Sequence, residues 1–458
     1  MKKYSTKFWT TFIIGSILFL SIWFAYWEVK NQGFENLQRL LVLAPVPQET
    51  KTDLETVMYL ADAVLHTDGK EKIFLILFQN NLELRPGGGF IGSFGILKVR
   101  DGNIIDFSVH DTGNFDGRIP STVAPLYPMQ ETLHIDSWKL RDSNYTPDFA
   151  ENAKWAETFY QMGQGQETFD GVVAVTTNVL TSFLHVTGPV TIDGYPGTYG
   201  EENAILDLEY QVEQGYLKQN IDFGERKSVI TVLGSEILHR VKALSLAKKY
   251  DLFKIVLDDL HKKDIQLLFK DEILQEQVSR SGFDGRMDDG WKNDYLFLVD
   301  ANLGSFKTDY FMKRSYAYTI DLSLTEAPKA TLAVTYENTT PVQDWFAKDY
   351  QTFLRVYVPQ GSYLTTVTGV VKDPVYGTFL NKKYFGVLVH IPILTEKTVT
   401  FEYTLSQDFK REWYDLKIQK QPGLNDVPVT VTVITKDGSR EEKHFILNRD
   451  IILSEIAN

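Results

Sequence analysis

The chain of 458 residues contains no cysteine. That absence excludes disulfide frameworks, zinc ribbons, thiol nucleophiles and dithiol redox motifs together, and it fits an exported bacterial protein as well as a cytosolic one. Positive charge is in deficit, with 47 Lys and Arg against 60 Asp and Glu and a net charge of −13. A bulk electrostatic grip on nucleic acid needs the opposite balance and is not expected. The sequence has no G-x-x-x-x-G-K-S/T phosphate loop and no H-E-x-x-H zinc-protease motif. Ser93, in Gly92-Ser93-Phe94-Gly95, lacks the glycine two residues earlier that a nucleophile elbow requires. Internal repeats and low-complexity tracts are missing as well. What the chain does have is a hydrophobic fraction of 43%, enough for ordinary packed cores.

One uncharged apolar run stands out, from Phe8 to Trp27. As a helix rising about 1.5 Å per residue it would reach about 30 Å, the thickness of a bilayer core. Lys2, Lys3 and Lys7 precede it, so the positive-inside bias keeps the N-terminus cytoplasmic and sends the rest outward. A cleaved signal peptide is the competing reading, but the run exceeds the usual apolar core and no small-x-small cleavage site follows. The expectation is a single-pass anchor over residues 1–30 in the cell membrane, with the bulk of the chain extracytoplasmic. A juxtamembrane stalk and helix at 31–69 follows, stiffened by Pro45 and Pro47 and continued by three-and-four apolar spacing from Glu49 to His66.

Two patterns divide the remainder. Apolar strands at Ile73–Phe78, Phe90–Val99, Ile104–Val109 and Gly171–Thr176 alternate with helices at Ala150–Met162, Glu201–Leu217 and across Lys227–Leu260. Interleaving of this kind predicts an α/β domain over about 70–305, and a continuously apolar strand predicts a sheet covered on both faces. Beyond Lys313 the segments alternate apolar and polar and are rich in aromatics, which predicts a C-terminal β-sandwich over 306–458.

Two polar clusters are candidates for chemistry. The first runs from Gln79 through Asn80, Asn81 and Arg85 to Gly87-Gly88-Gly89, at the end of a buried strand, where open α/β sheets bind ligands. Its glycines could cradle a phosphate or simply make a flexible turn. The second contains Arg141, Asp142, Asn144 and Asp148; Asp148 opens a helix and is equally explicable as its N-cap.

These residues carry a resemblance. Phe78-Gln79-Asn80-Asn81-Leu82-Glu83-Leu84-Arg85-Pro86, Arg141-Asp142-Ser143-Asn144, Asp170-Gly171-Val172-Val173-Ala174-Val175, Thr187-Gly188-Pro189-Val190 and Asp300-Ala301-Asn302-Leu303-Gly304 resemble the bacterial family 4012 of domains of unknown function, from about residue 70 to beyond 360. That resemblance implies an anchor, an exported α/β domain and a β-rich tail.

More distantly, Ser108-Val109-His110-Asp111-Thr112 and Asp222-Phe223-Gly224-Glu225-Arg226-Lys227 are similar in order to motifs of the LytR-CpsA-Psr proteins. Those proteins transfer glycopolymers from polyprenyl phosphate to the cell wall, with arginines on pyrophosphate and aspartates on magnesium. The resemblance implies Arg85 and Arg226 as phosphate ligands and Asp111 as an acidic group of catalysis, with Asn80, Asn81 and His110 at neighbouring motif positions. If the second cluster folds over the first, Arg141, Asn144 and Asp148 join the expected ligand set and Asp142 the expected acidic groups of catalysis. The sequence departs from the pattern where Asn80 or Asn81 replaces the first-strand aspartate and His110 replaces an arginine, which weakens a magnesium site. The function implied is an envelope protein that binds a lipid-linked phosphorylated glycan, with or without phosphotransfer. The alternative is a non-catalytic scaffold whose β-sandwich binds an envelope protein or polysaccharide.

Overall fold

The structure, a computed structural model, describes residues 47–324, 327–406, 409 and 414–454. The anchor expected at 8–27 lies outside the described residues. Among those that are described, no helix is long and apolar enough to cross a membrane.

The chain is mixed α/β. A five-stranded sheet has the order β3-β2-β1-β4-β5, formed by β1 (Glu71–Asn80), β2 (Phe90–Arg100), β3 (Asn103–Asp111), β4 (Gly171–Thr176) and β5 (Ile265–Phe269). β1 runs antiparallel to β2 and parallel to β4, so Phe78 pairs with Ser93 on one side and Val175 on the other. This central strand is continuously apolar from Ile73 to Phe78 because both faces are covered. On one face Leu75 and Leu77 pack with Ala153, Ala156 and Phe159 of a helix at Phe149–Met162. The other face turns towards helices that form their own apolar cluster around Leu184, Val212, Val229, Leu233 and Ile237.

Helix α1 (Gln48–Leu65) precedes the sheet and α2 (Phe149–Met162) covers its first face. α3 (Thr177–Thr187), α4 (Ala204–Tyr210), α5 (Ser228–Ala243), α6 (Leu246–His261) and α7 (Glu272–Arg280) complete the longer helices of this half. The helical pattern over Lys227–Leu260 is thus two helices. They part at Leu244-Ser245, where the Ser245 hydroxyl accepts from the Lys248 N–H and starts α6 afresh. Val190 and Tyr199 form only an isolated bridge.

Two six-stranded sheets follow. One has the order β10-β13-β8-β7-β15-β16 and the other β11-β12-β9-β6-β14-β17. Their strands are β6 (Asp294–Val299), β7 (Met312–Asp321), β8 (Lys329–Asn338), β9 (Tyr350–Pro359), β10 (Tyr363–Thr368) and β11 (Val375–Phe379). The set continues with β12 (Lys382–Ile391), β13 (Thr395–Thr404), β14 (Leu416–Gln419), β15 (Val427–Ile434), β16 (Arg440–Leu447) and β17 (Ile451–Leu453). Tyr316, Tyr318 and Ile320 of one sheet share a buried cluster with Leu296, Leu354 and Val356 of the other, as facing sheets do.

The division drawn at 305/306 falls one strand too late. β6 pairs antiparallel with β9 and parallel with β14, so it lies inside a sandwich sheet. Its run Tyr-Leu-Phe-Leu-Val is buried on both sides and shows no alternation by which a sandwich strand could be recognised. The two halves also interlock. The Gln421 amide donates to the Arg85 carbonyl at 3.1 Å and the Asp300 carbonyl at 2.8 Å, and the backbone of Gly423 lies against Gly88.

Candidate functional site: an apolar cavity with a charged mouth

Between the second face of the five-stranded sheet and helices α3, α4 and α5 lies a cavity of about 340 Å³. Its walls are mainly apolar, with Phe78, Phe107 and Val175 from the strands and Phe183, Leu208 and Ile237 from the helices. Gly234 of α5 leaves its wall open, for no atom lies within 4 Å of where its Cβ would be. Polar groups gather on the lining: Gln79, Ser93, Glu209, Lys227 and Lys307. Gln79 is 1% exposed, yet neither its amide nitrogen nor its oxygen has a hydrogen-bond partner, and the Ser93 hydroxyl is likewise buried without one. Buried polar groups are almost always paired, so unpaired ones on a cavity wall are where a ligand's polar atoms would be met.

Lys227, at the start of α5, is the cation of this wall. Its Nζ lies 2.7 Å from Asp111 Oδ2 and also donates to the Gly92 carbonyl. Burial pulls the ammonium below its ordinary value, with Asp111 opposing. Burial pushes the Asp111 carboxyl up, but Lys227 and the Asn114 N–H outweigh it and hold the group below the usual carboxylate range. Asp111 caps the short helix Thr112–Asp116 through that N–H, which fixes its orientation. Arg226 approaches the same carboxylate at 3.8 Å and stacks on the Phe223 ring, while its Nε is buried without a partner. Glu209 accepts from Asn80 Nδ2 at 2.6 Å, and burial pushes its carboxyl up, with Lys307 opposing.

Of the residues named from the sequence, Asp111 and Arg226 therefore meet beside the cavity, and Asn80 lines it, bonded to Glu209. The remaining expected ligands and acids lie elsewhere. Arg85 is 2% exposed, and its guanidinium is taken up by protein: Nε donates to Asp142 at 3.2 Å, Nη1 to the Asn302 carbonyl at 2.6 Å and Nη2 to Glu83 at 2.8 Å. A cation that deep must be paired, and its partners leave no fork for a phosphate. Asp142 is Arg85's counter-ion. The second cluster does fold onto the first, but as a clamp. Asn144 donates to the Gly89 carbonyl at 2.6 Å and accepts the Gly87 N–H through its own carbonyl at 2.9 Å. With the Gly88 N–H bonded to the Arg85 carbonyl, the glycine turn is packed and is no phosphate cradle.

Arg141 pairs with Asp116 at 2.5 Å, away from Arg85. Asp148 caps α2 and also accepts the Met287 N–H. Asn81 is buried, donating to the Gly423 carbonyl at 3.0 Å. His110 is exposed on the edge strand β3, stacked on Phe94. Gln79 opens the first cluster named from the sequence, whereas Lys227, Glu209 and Lys307 were not singled out there. For Lys227 the signal was at hand, one residue beyond Arg226. For Glu209, on an amphipathic helix, nothing local marks it. Among the described residues no group of three or more His, Asp or Glu is arranged to hold a metal ion.

A family model described as "Protein of unknown function (DUF4012)" matches residues 68–212, which bears out the resemblance seen in the motifs of that segment. No curated protein matches the chain. Several solved structures are similar. The chain is 12% identical to gbs0355 of Streptococcus agalactiae, covering 48% of this chain and 75% of that one at a TM-score of 0.30. TagV of B. subtilis is 14% identical, with 48% of this chain and 84% of that one covered at a TM-score of 0.27. A Legionella pneumophila protein is 14% identical at a TM-score of 0.21, with 27% of this chain covered, and the chain spans only half of its length.

Proposed function

We propose that this is a membrane-anchored, extracytoplasmic protein of the cell envelope that binds a lipid-linked phosphorylated glycan, the apolar chain in the cavity and the anionic head at Lys227 and Arg226. The observation that carries the reading is the cavity itself: an apolar chamber closed by helices on a sheet, with a cation and unpaired polar groups on its lining. An acyl or prenyl chain gains free energy from such walls, about 0.8 kcal/mol for each CH₂ buried. Its phosphate gains charge-assisted hydrogen bonds from an ammonium and a guanidinium. Asp111 holds those two cations in place, and a second carboxylate for phosphotransfer is supplied by neither Asp142 nor Asp148. The reading is therefore of binding, with Asp111 as an organiser of cations.

The test is lipid extraction and mass spectrometry of the purified full-length protein. A polyprenyl phosphate or its glycosylated form should copurify, and Lys227→Ala should reduce it at least tenfold in protein that still unfolds cooperatively, at a lower melting temperature because Asp111 loses its nearest cation. If no phosphorylated lipid copurifies and added polyprenyl phosphate does not bind, the reading fails. A scaffold acting through its β-sandwich then takes its place.

A further inference from the structure

A second cavity, of about 440 Å³, lies between α3, α6 and the loop over 420–426 that joins β14 to β15. It shares no lining residue with the first, since α3 presents Asn178, Thr181 and Ser182 to this one and Val179, Leu180 and Phe183 to the other. Its lining includes Asp258, Asp259, Asp264 and Asp426 together with Lys262 and Lys420.

Most of these charges are already answered. Asp264 Oδ1 accepts from Thr176 Oγ1 at 2.7 Å and from Asn178 Nδ2 at 3.0 Å. Asp258 meets Lys262 at 2.7 Å and Arg449 at 3.1 Å. The Lys420 ammonium donates to the carbonyls of Lys262 and Gln421 at 2.9 and 3.1 Å. Asp259 is the exception. It is 4% exposed, its Oδ1 accepts from Ser182 Oγ at 3.0 Å, and its Oδ2 is buried with no hydrogen-bond partner.

A buried carboxylate with one oxygen unanswered is costly, and the partner that offsets most of that cost is a donor carrying positive charge. A metal ion is a poor match, for no three acidic or histidine side chains converge among the described residues. An organic ammonium needs only one such oxygen. The rest of the lining, with the hydroxyls of Thr181 and Ser182 and the amides of Asn178 and Asn425, suits a ligand bearing hydroxyl groups. The volume falls in the range of small-molecule sites, about 300–1,000 Å³.

We propose that this cavity is a binding site for an amino sugar with a free, protonated amine, whose ammonium pairs with Asp259.

The test is isothermal titration of the full-length protein with D-glucosamine and with N-acetyl-D-glucosamine, which lacks the charge. Glucosamine should bind saturably and the acetylated sugar at least tenfold more weakly. Asp259→Asn should lose glucosamine binding at least tenfold while melting no lower than the parent at pH 7.5, because a carboxylate that serves a ligand is a burden to the empty fold. Lys227→Ala, which disables the lipid cavity, should leave this binding unchanged, so the two readings fail separately. Equal binding of both sugars, no saturable binding of glucosamine, or full binding by Asp259→Asn would overturn the proposal. A fall in melting temperature with Asp259→Asn would do so too, marking the residue as structural.

Discussion

At the scale of single residues, the molecule separates charges that hold the fold from charges that are free to meet something else. Arg85 belongs to the first kind. With Glu83, Asp142 and the Asn302 carbonyl on its guanidinium, and Lys307 on the far oxygen of Glu83 at 2.8 Å, it closes a buried chain of alternating charge. Arg85→Ala would strand the buried Asp142 carboxylate and leave Glu83 to Lys307 alone, and we expect a loss of about 3–5 kcal/mol in urea unfolding. Arg85→Lys should recover little, since a single ammonium cannot serve three directions as the planar fork does. The importance of Arg85 was legible in the sequence and its role was not. Its partners lie 2, 57 and 217 residues away, and only the fold decides that they are protein groups and not a phosphate.

Asp259 belongs to the second kind. Burial, joined by Asp264 and opposed by the Ser182 hydrogen bond, pushes its carboxyl up to about 7. The unfolded group titrates near about 3.9, so between those values the folded form keeps a proton that the unfolded form has lost. Its contribution is fully present below about pH 4 and disappears as pH rises through 7. Thermal melts at pH 5 and pH 8 should show Asp259→Asn gaining on the parent at the higher pH; a constant difference between the two would contradict this.

At the scale of elements, the helices that roof the first cavity are set by ordinary periodicity, and one glycine in them is not. Gly234 sits in the interior of α5, where glycine costs about 1 kcal/mol relative to alanine, and its missing side chain faces open space on the cavity wall. Gly234→Ala should raise the unfolding free energy by about 0.5–1 kcal/mol. Gly234→Leu should also fold, because the space exists, but its side chain would occupy the chamber and displace an apolar ligand. The measurement is copurifying lipid per mole of protein, expected to fall at least fivefold in the leucine variant and little in the alanine one. If both retain lipid in full, the ligand does not lie along α5. Element positions were largely legible: β1, β2, β4 and α2 lie within a residue or two of their expected places. What escaped was of two sorts. Short or uniformly buried strands such as β6 and β14 carry no alternation, and the break between α5 and α6 is marked by a single capping serine inside an unbroken apolar pattern.

At the scale of the whole molecule, the α/β half and the sandwich are not beads on a string. β6 is reached straight from the α/β half and forms the middle of a sandwich sheet, between β9 and β14. A piece beginning at residue 306 would lack it, leaving β9 and β14 without the partner that joins them; we expect such a piece to be unfolded by circular dichroism, and a piece beginning at 288 to be ordered. The contact between the halves is close enough to test with one methyl group. Gly423 has φ +72°, a left-handed conformation that an L side chain adopts only under strain, and a Cβ there would stand 1.9 Å from the Gly88 carbonyl oxygen. That neighbour is backbone, pinned by the Gly88 N–H to the Arg85 carbonyl, so no rotamer change relieves the clash. Gly423→Ala must therefore push the 420–426 loop off the glycine turn, loosening the Gln421 bond to Arg85 and the Asn81 bond to Gly423. Because those bonds join the two halves, the loss should appear as a split transition: the parent unfolds in one step in urea, and the variant in two. A single transition merely shifted to lower urea would mean that the halves are coupled elsewhere, through the Leu84 N–H on Asp309 and the Arg85 guanidinium on the Asn302 carbonyl.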